Sequence, residues 1–155
     1  NLGGQVLMEG RQEWIEVAHP SKRSLAVARW KLDSGSLATS GNSERSRTVH
    51  GVQIGHVLDG RTGRPAKDFG SVTVWCSSAL DADCLSTALF AMGPEEGLRF
   101  ASNRTDVRVL FIEEREGDLR LSATRNCEPY LTSTKNIFWF PEDNPKHLSK
   151  KEEKQ

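Results

Sequence analysis

Charge of one sign is the first thing this 155-residue sequence lacks, since 21 Lys and Arg stand against 21 Asp and Glu. With no cationic surplus to neutralise phosphates, the body of the chain offers no electrostatic case for binding nucleic acid. Long apolar runs are missing too. None approaches the ~18 residues that a membrane-spanning helix needs. Cysteine is scarce, and Cys76, Cys84 and Cys127 lie at wide, unequal spacing. That makes neither a zinc pattern nor a paired disulfide framework; one disulfide is open to them, with buried free thiols the commoner outcome. Aromatics make up 7% and apolar residues 36% of the chain, enough at this length for one core without disulfides or a structural metal. An initiator Met is also missing. Asn1-Leu2-Gly3-Gly4 reads like the inside of a domain, so the expectation is a fragment, a processed product or one subunit of something larger.

What is present is a series of short alternating stretches. Trp14-Ile15-Glu16-Val17 and Leu25 to Leu32 read as strands. In the second, Ala26, Ala28, Trp30 and Leu32 share one face and Arg29 and Lys31 the other, the pattern of a sheet with one side on a core and one side wet. Ser34 to Arg47 is rich in Ser, Gly, Asn and Arg and reads as loop. His50-Gly51 is expected to turn a hairpin between Arg47-Thr48-Val49 and Val52-Gln53-Ile54. A second loop runs from Asp59 to Gly70, followed by the strand Ser71 to Trp75. The period then changes. Leu85, Ala88, Leu89 and Met92 form one helical stripe within a helix over Ala79 to Met92, stopped by Gly93, and Pro94 opens a second, short helix. Val107 to Ile112 and Leu119 to Ala123 pair around Gly117-Asp118. The expected class is α+β, a mainly antiparallel sheet with one or two helices, in one domain over residues 1–140. Residues 141–155, rich in Lys and Glu, form a charged tail that cannot support a core.

Three segments carry candidate chemistry. Ala38-Thr39-Ser40-Gly41 reads as a bend that exposes hydroxyls and N–H groups to an anion or a ligand edge, or as a plain turn. His56-Val57-Leu58-Asp59-Gly60-Arg61 offers a base (His56), a carboxylate (Asp59) and a cation (Arg61), the groups that phosphoryl chemistry calls for. The competing reading gives His56 a sheet-end carbonyl and joins Asp59 to Arg61 in a turn salt bridge. Asp83, Ser86 and Thr87 stand at i, i+3 and i+4 on one helix face, opposite much of the apolar stripe. One carboxylate with two hydroxyls suits Mg²⁺ rather than zinc or copper, with waters, carbonyls or substrate phosphates completing the set. The competing reading is helix capping by the Asp and back-bonding by Ser and Thr. His19, His50 and His147 read as structural or solvated, and the tryptophans at 14, 30, 75 and 139 as core or sheet-face residues.

Taken in order, Asn1-Leu2-Gly3-Gly4, Ala38-Thr39-Ser40-Gly41, His56-Val57-Leu58-Asp59-Gly60-Arg61-Thr62-Gly63, Ser71-Val72-Thr73-Val74 and Ala82-Asp83-Cys84-Leu85-Ser86-Thr87-Ala88-Leu89 resemble the C-terminal half of the FAD:protein FMN transferase family, also called the ApbE family. The likeness runs from residue 1 to about residue 112. Gly60, Gln5 and Ser43 depart from the family's usual Pro, acidic or amide residue, and aromatic.

The resemblance implies transfer of FMN from FAD to a threonine of an acceptor flavoprotein, with release of AMP and a requirement for Mg²⁺. It implies Asp83, Ser86 and Thr87 as metal ligands, Leu58 as a contact to FAD, and His56 as the group that activates the acceptor hydroxyl. Thr39, Ser40, Gly41 and Asp59 are taken with Leu58 as further cofactor-binding positions. The family's N-terminal half lies outside this sequence, so the expected partners are FAD, an acceptor flavoprotein and that half or a second chain. A periplasmic or membrane-anchored setting follows from the same resemblance. The competing functions are a non-catalytic flavin-binding or interaction module, and a Mg²⁺-dependent FAD pyrophosphatase that uses water as nucleophile.

Overall fold

The computed structural model describes residues 4–42, 47–49 and 52–141. Four strands come first: β1 (Gln5–Met8), β2 (Glu13–Ala18), β3 (Ala26–Leu32) and β4 (Gly35–Gly41). Two small hairpins follow, β5 (Arg47–Val49) with β6 (Val52–Ile54), then β7 (Leu58–Asp59) with β8 (Arg64–Pro65). β9 (Gly70–Cys76) leads into the helices α1 (Ala79–Met92) and α2 (Pro94–Ser102). β10 (Val107–Arg115), β11 (Asp118–Thr124), β12 (Leu131–Ser133) and β13 (Ile137–Phe140) complete the described chain.

Six of these strands form the main sheet in the order β1-β4-β9-β10-β11-β13, antiparallel except where β13 runs parallel to β11. A second, antiparallel sheet has the order β12-β3-β2. The α+β expectation therefore holds. Side chains alternate across a strand, and the central strand β10 shows what this achieves. Val109 and Phe111 join Leu89, Phe90 and Leu98 in a core under the helices. Leu110 and Ile112 point the other way, into a core shared with Val17, Ala28, Trp30 and Leu32 of the second sheet. The main sheet is thus the middle of three layers and is covered on both faces.

Two stretches depart from the sequence reading. Ser34 to Arg47 is not a loop throughout, because Gly35–Gly41 is a full strand inserted between β1 and β9. Leu37 enters one core and Ala38 the other, so burial on both faces removes the alternation that marks a one-sided strand. Thr39-Ser40-Gly41 is accordingly extended strand, not a bend. The turn between β10 and β11 centres on Glu116 (φ 52°) and Gly117 (φ 86°), one residue earlier than expected. Two successive left-handed residues are what a tight hairpin requires. The expected turn at His50-Gly51, as well as Ser43, His147, residues 1–3 and residues 142–155 of the proposed tail, lie outside the described residues.

Candidate functional site

Helix α1 begins at Ser78, whose hydroxyl accepts the Asp81 N–H at 3.3 Å. Ser78 therefore caps the helix, and Asp83, one turn further in, is left for other work. The helix buries Ala82, Ser86, Leu89 and Phe90, so Ser86 lies within the core-facing side rather than opposite it. Ser86 is 1% exposed, and its hydroxyl is hydrogen-bonded. It donates to the Asp83 carbonyl at 2.9 Å and lies 2.8 Å from the Ser40 hydroxyl on β4. Thr87 is exposed, back-bonds to the same carbonyl at 3.4 Å, and sits 3.4 Å from the Ser40 Oγ. One strand hydroxyl therefore ties two helix hydroxyls to the sheet. Thr39, next on β4, meets Thr73 of β9 through their hydroxyls at 2.9 Å.

These groups border a cleft of about 1000 Å³ between the main sheet and β2. Thr39, Ser40, Gly41, His56, Asp83 and Thr87 all line it. The strands under it come close because their side chains are minimal. A Cβ on Gly41 would fall 2.9 Å from the Gly70 carbonyl oxygen. The opposite wall is β2, from Trp14 to Ala18, continuing through His19 and Pro20.

Leu58 and Asp59 are placed differently. Leu58 is 57% exposed and does not line the cleft. Asp59 holds its own turn. It accepts the Arg61 backbone N–H at 2.9 Å and the Arg61 Nε–H at 3.1 Å, while Arg61 reaches Glu96 of α2 at 3.0 Å. The Arg61 hydrogen bonds hold the Asp59 carboxyl below the usual carboxylate range, and Asp59 and Glu96 raise the guanidinium in turn. This is the turn salt bridge, and it pins the β7–β8 hairpin to α2.

Cys76 and Cys127 are buried free thiols and Cys84 is an exposed one; no disulfide joins them. Trp30 is fully buried, but Trp14 is 49% exposed in the cleft. Trp75 packs on the Arg108 guanidinium at 3.9 Å, with Tyr130 on its other side at 4.0 Å. The residue that sequence reasoning passed over is His19. It is 5% exposed and still lines the cleft, and a histidine before a proline at a strand end carries no spacing signal to reveal this.

The donor set bears on a metal. Among the described residues no three His, Cys, Asp or Glu side chains cluster, which speaks against a site built from those ligand types alone. Asp83, Thr87 and Ser40 supply hard oxygens at one cleft edge. That set fits Mg²⁺ only as a partial shell, completed by water and phosphate oxygens.

Comparison with known proteins agrees with the order of motifs. The profile of the ApbE family matches residues 1–111. An FAD:protein FMN transferase of Klebsiella pneumoniae (strain 342) is 31% identical over 147 residues, 93% of this chain and 42% of that protein. One of Rhodobacter capsulatus is 33% identical over 145 residues, 91% of this chain and 27% of that protein. The fold matches the flavin transferase ApbE of Vibrio cholerae with a TM-score of 0.64 at 28% identity, covering 83% of this chain and 42% of that structure. The apo flavinyl transferase ApbE of Pseudomonas stutzeri gives a TM-score of 0.65 at 27% identity, with 83% and 41% covered. The chain spans about two fifths of the Klebsiella relative's length.

Proposed function

The chain belongs to the ApbE family, and from that premise we propose that it is part of an enzyme that moves FMN from FAD to a threonine hydroxyl of a target flavoprotein, releasing AMP. The observation that carries this reading is the Ser40 hydroxyl, 2.8 Å from Ser86 and 3.4 Å from Thr87, in a cleft that Asp83 and His56 also line. It ties the strand motif to the helix motif.

In the proposed reaction the acceptor oxygen forms a bond to the phosphorus of the FMN half, and the bond from that phosphorus to the AMP oxygen breaks. Asp83 and Thr87, with Ser40 beside them, would hold Mg²⁺ together with the diphosphate. That ion, when bound, neutralises phosphate charge and eases departure of AMP. Ser86 has a positioning role, since its hydroxyl is committed to Ser40 and to the Asp83 carbonyl. His56 takes the proton from the attacking hydroxyl. Thr39 and Gly41 present a small, polar surface to the dinucleotide. A periplasmic or membrane-anchored location belongs to the same proposal.

The remainder of the site, on this reading, comes from chain corresponding to the other three fifths of the relatives or from a second chain. Mixing this chain with that portion, FAD, Mg²⁺ and an acceptor protein is expected to give covalent flavin on a threonine and one AMP per flavin. AMP release that ignores the acceptor would identify a pyrophosphatase, and flavin binding with no AMP a non-catalytic module.

A further inference from the structure

The stretch that carries His56 rests on a side chain to which the proposed chemistry gives no part. Asn42 follows β4 directly, two positions beyond Ser40, which places it about 6.5 Å along the backbone from the hydroxyl cluster. It is 2% exposed. Its Oδ1 and Nδ2 are both sealed, and neither has a hydrogen-bond partner among the described residues. Gly55 lies against that amide. A Cβ added to Gly55 would fall inside the contact distance of Asn42 Cγ, Oδ1 and Nδ2 together, so it is the flat face of the amide that meets the backbone. Gly55 is not in the left-handed region. What position 55 lacks is room for a side chain.

The next residue is His56, exposed and lining the cleft. On its far side Val57 is buried in the core under the helices, and its carbonyl accepts the Ala66 N–H at 2.9 Å. The backbone of His56 is therefore fastened on both sides, through Val57 to the helix core and through Gly55 to the end of β4. Because Ser40 and Asn42 belong to one run of chain, the same segment places the hydroxyl cluster and the histidine. An amide with both polar ends buried and unpaired opposes folding, and an apolar side chain would fill the space more favourably. What the amide supplies is a plane thin enough for the backbone to lie on. A tetrahedral branched side chain would hold Gly55 further off.

We infer that Asn42 is a positioning residue: its amide plane seats Gly55 and so sets the place of His56 relative to Ser40, Asp83 and Thr87. The inference rests on the flavin-transfer reading, in which His56 takes the acceptor's proton, and adds to it the group that holds this base in place.

The test uses the reconstituted transfer assay, read as kcat and as KM for FAD. Gly55→Ala drives a methyl into the amide and is expected to lower kcat by about tenfold to a hundredfold, with KM for FAD little changed. Asn42→Ala, which removes the seat, lowers kcat likewise. Combining the two lets the new methyl occupy the space that the amide left, and recovers part of the Gly55→Ala loss. In a His56→Ala background Asn42→Ala costs nothing further, because a residue that acts through His56 has no effect once that ring is gone. A combined variant as slow as its two parts multiplied, or an Asn42→Ala loss as large without His56 as with it, assigns Asn42 to the fold alone and overturns the inference. So does an unchanged kcat in Asn42→Ala. If the unaltered chain transfers no flavin, the transfer reading fails, and the seat itself is then judged by NMR of the chain alone, isotope-labelled at histidine. Asn42→Ala and Gly55→Ala are each expected to move the His56 ring signals and leave those of His19 in place; His56 signals indifferent to both remove the seat as well.

Discussion

At the scale of single residues, the proposed site separates groups assigned to binding from groups that hold the fold. Asp83 is exposed and the helix is capped by Ser78, so Asp83→Ala is expected to abolish Mg²⁺-dependent AMP release. Its thermal stability should change by no more than about 0.5 kcal/mol, as for other exposed substitutions; an acceptor assay beside a melting curve decides both. Asp59 behaves oppositely. Its folded pKa lies below the ordinary 3.8, so its ion pair stabilises the fold above that pH and is lost as the pH falls through the lowered value. Urea titrations between neutral pH and pH ~3 should show Asp59→Asn lacking part of this acid sensitivity. Burial pushes the thiols of Cys76 and Cys127 up to about 11, while Cys84 is exposed. Iodoacetamide at neutral pH is expected to label Cys84 alone, as mass spectrometry of the digested protein would show, with Cys76 and Cys127 labelled only after unfolding.

At the scale of elements, legibility followed periodicity. Helix α1 was readable to the residue, from Ala79 to Met92, because its apolar positions recur with the helical period and Gly93 supplies a left-handed stop at φ 82°. β4 was not, since Ser, Thr, Gly and Ala in a strand covered on both faces produce no alternation and imitate a loop. β13 failed for a related reason: Ile137-Phe138-Trp139-Phe140 is apolar without a period, and its parallel partner β11 is remote in the pattern of hairpins. Motif order singled out His56, Asp83 and Thr87, which all line the cleft, while the burial of Ser86 and of His19 arises only once strands from distant sequence meet. The packing of α2 gives a sharp test. A Cβ on Gly97 would stand 2.5 Å from Phe111 Cζ, inside a fully buried core. Gly97→Ala is therefore expected to destabilise by about 1–3 kcal/mol by overpacking, despite the better helix propensity of Ala, as denaturant unfolding would measure.

At the scale of the whole molecule, one sheet serves two cores. Adjacent residues of β10 report on them separately, Leu110 on the layer of β2 and β3, Phe111 on the helices. Leu110→Ala should cost about 2–5 kcal/mol and Phe111→Ala about 3–5 kcal/mol. If the three layers unfold as a unit, far-ultraviolet dichroism and tryptophan fluorescence will give coincident transitions in both variants. The tryptophans also differ in what they can sense. Trp30 is sealed at 0% exposure, whereas Trp14 stands in the cleft with 49% of its surface open. The indole at the mouth emits where a yellow chromophore absorbs, so under the proposed function arrival of such a guest is expected to dim that lamp.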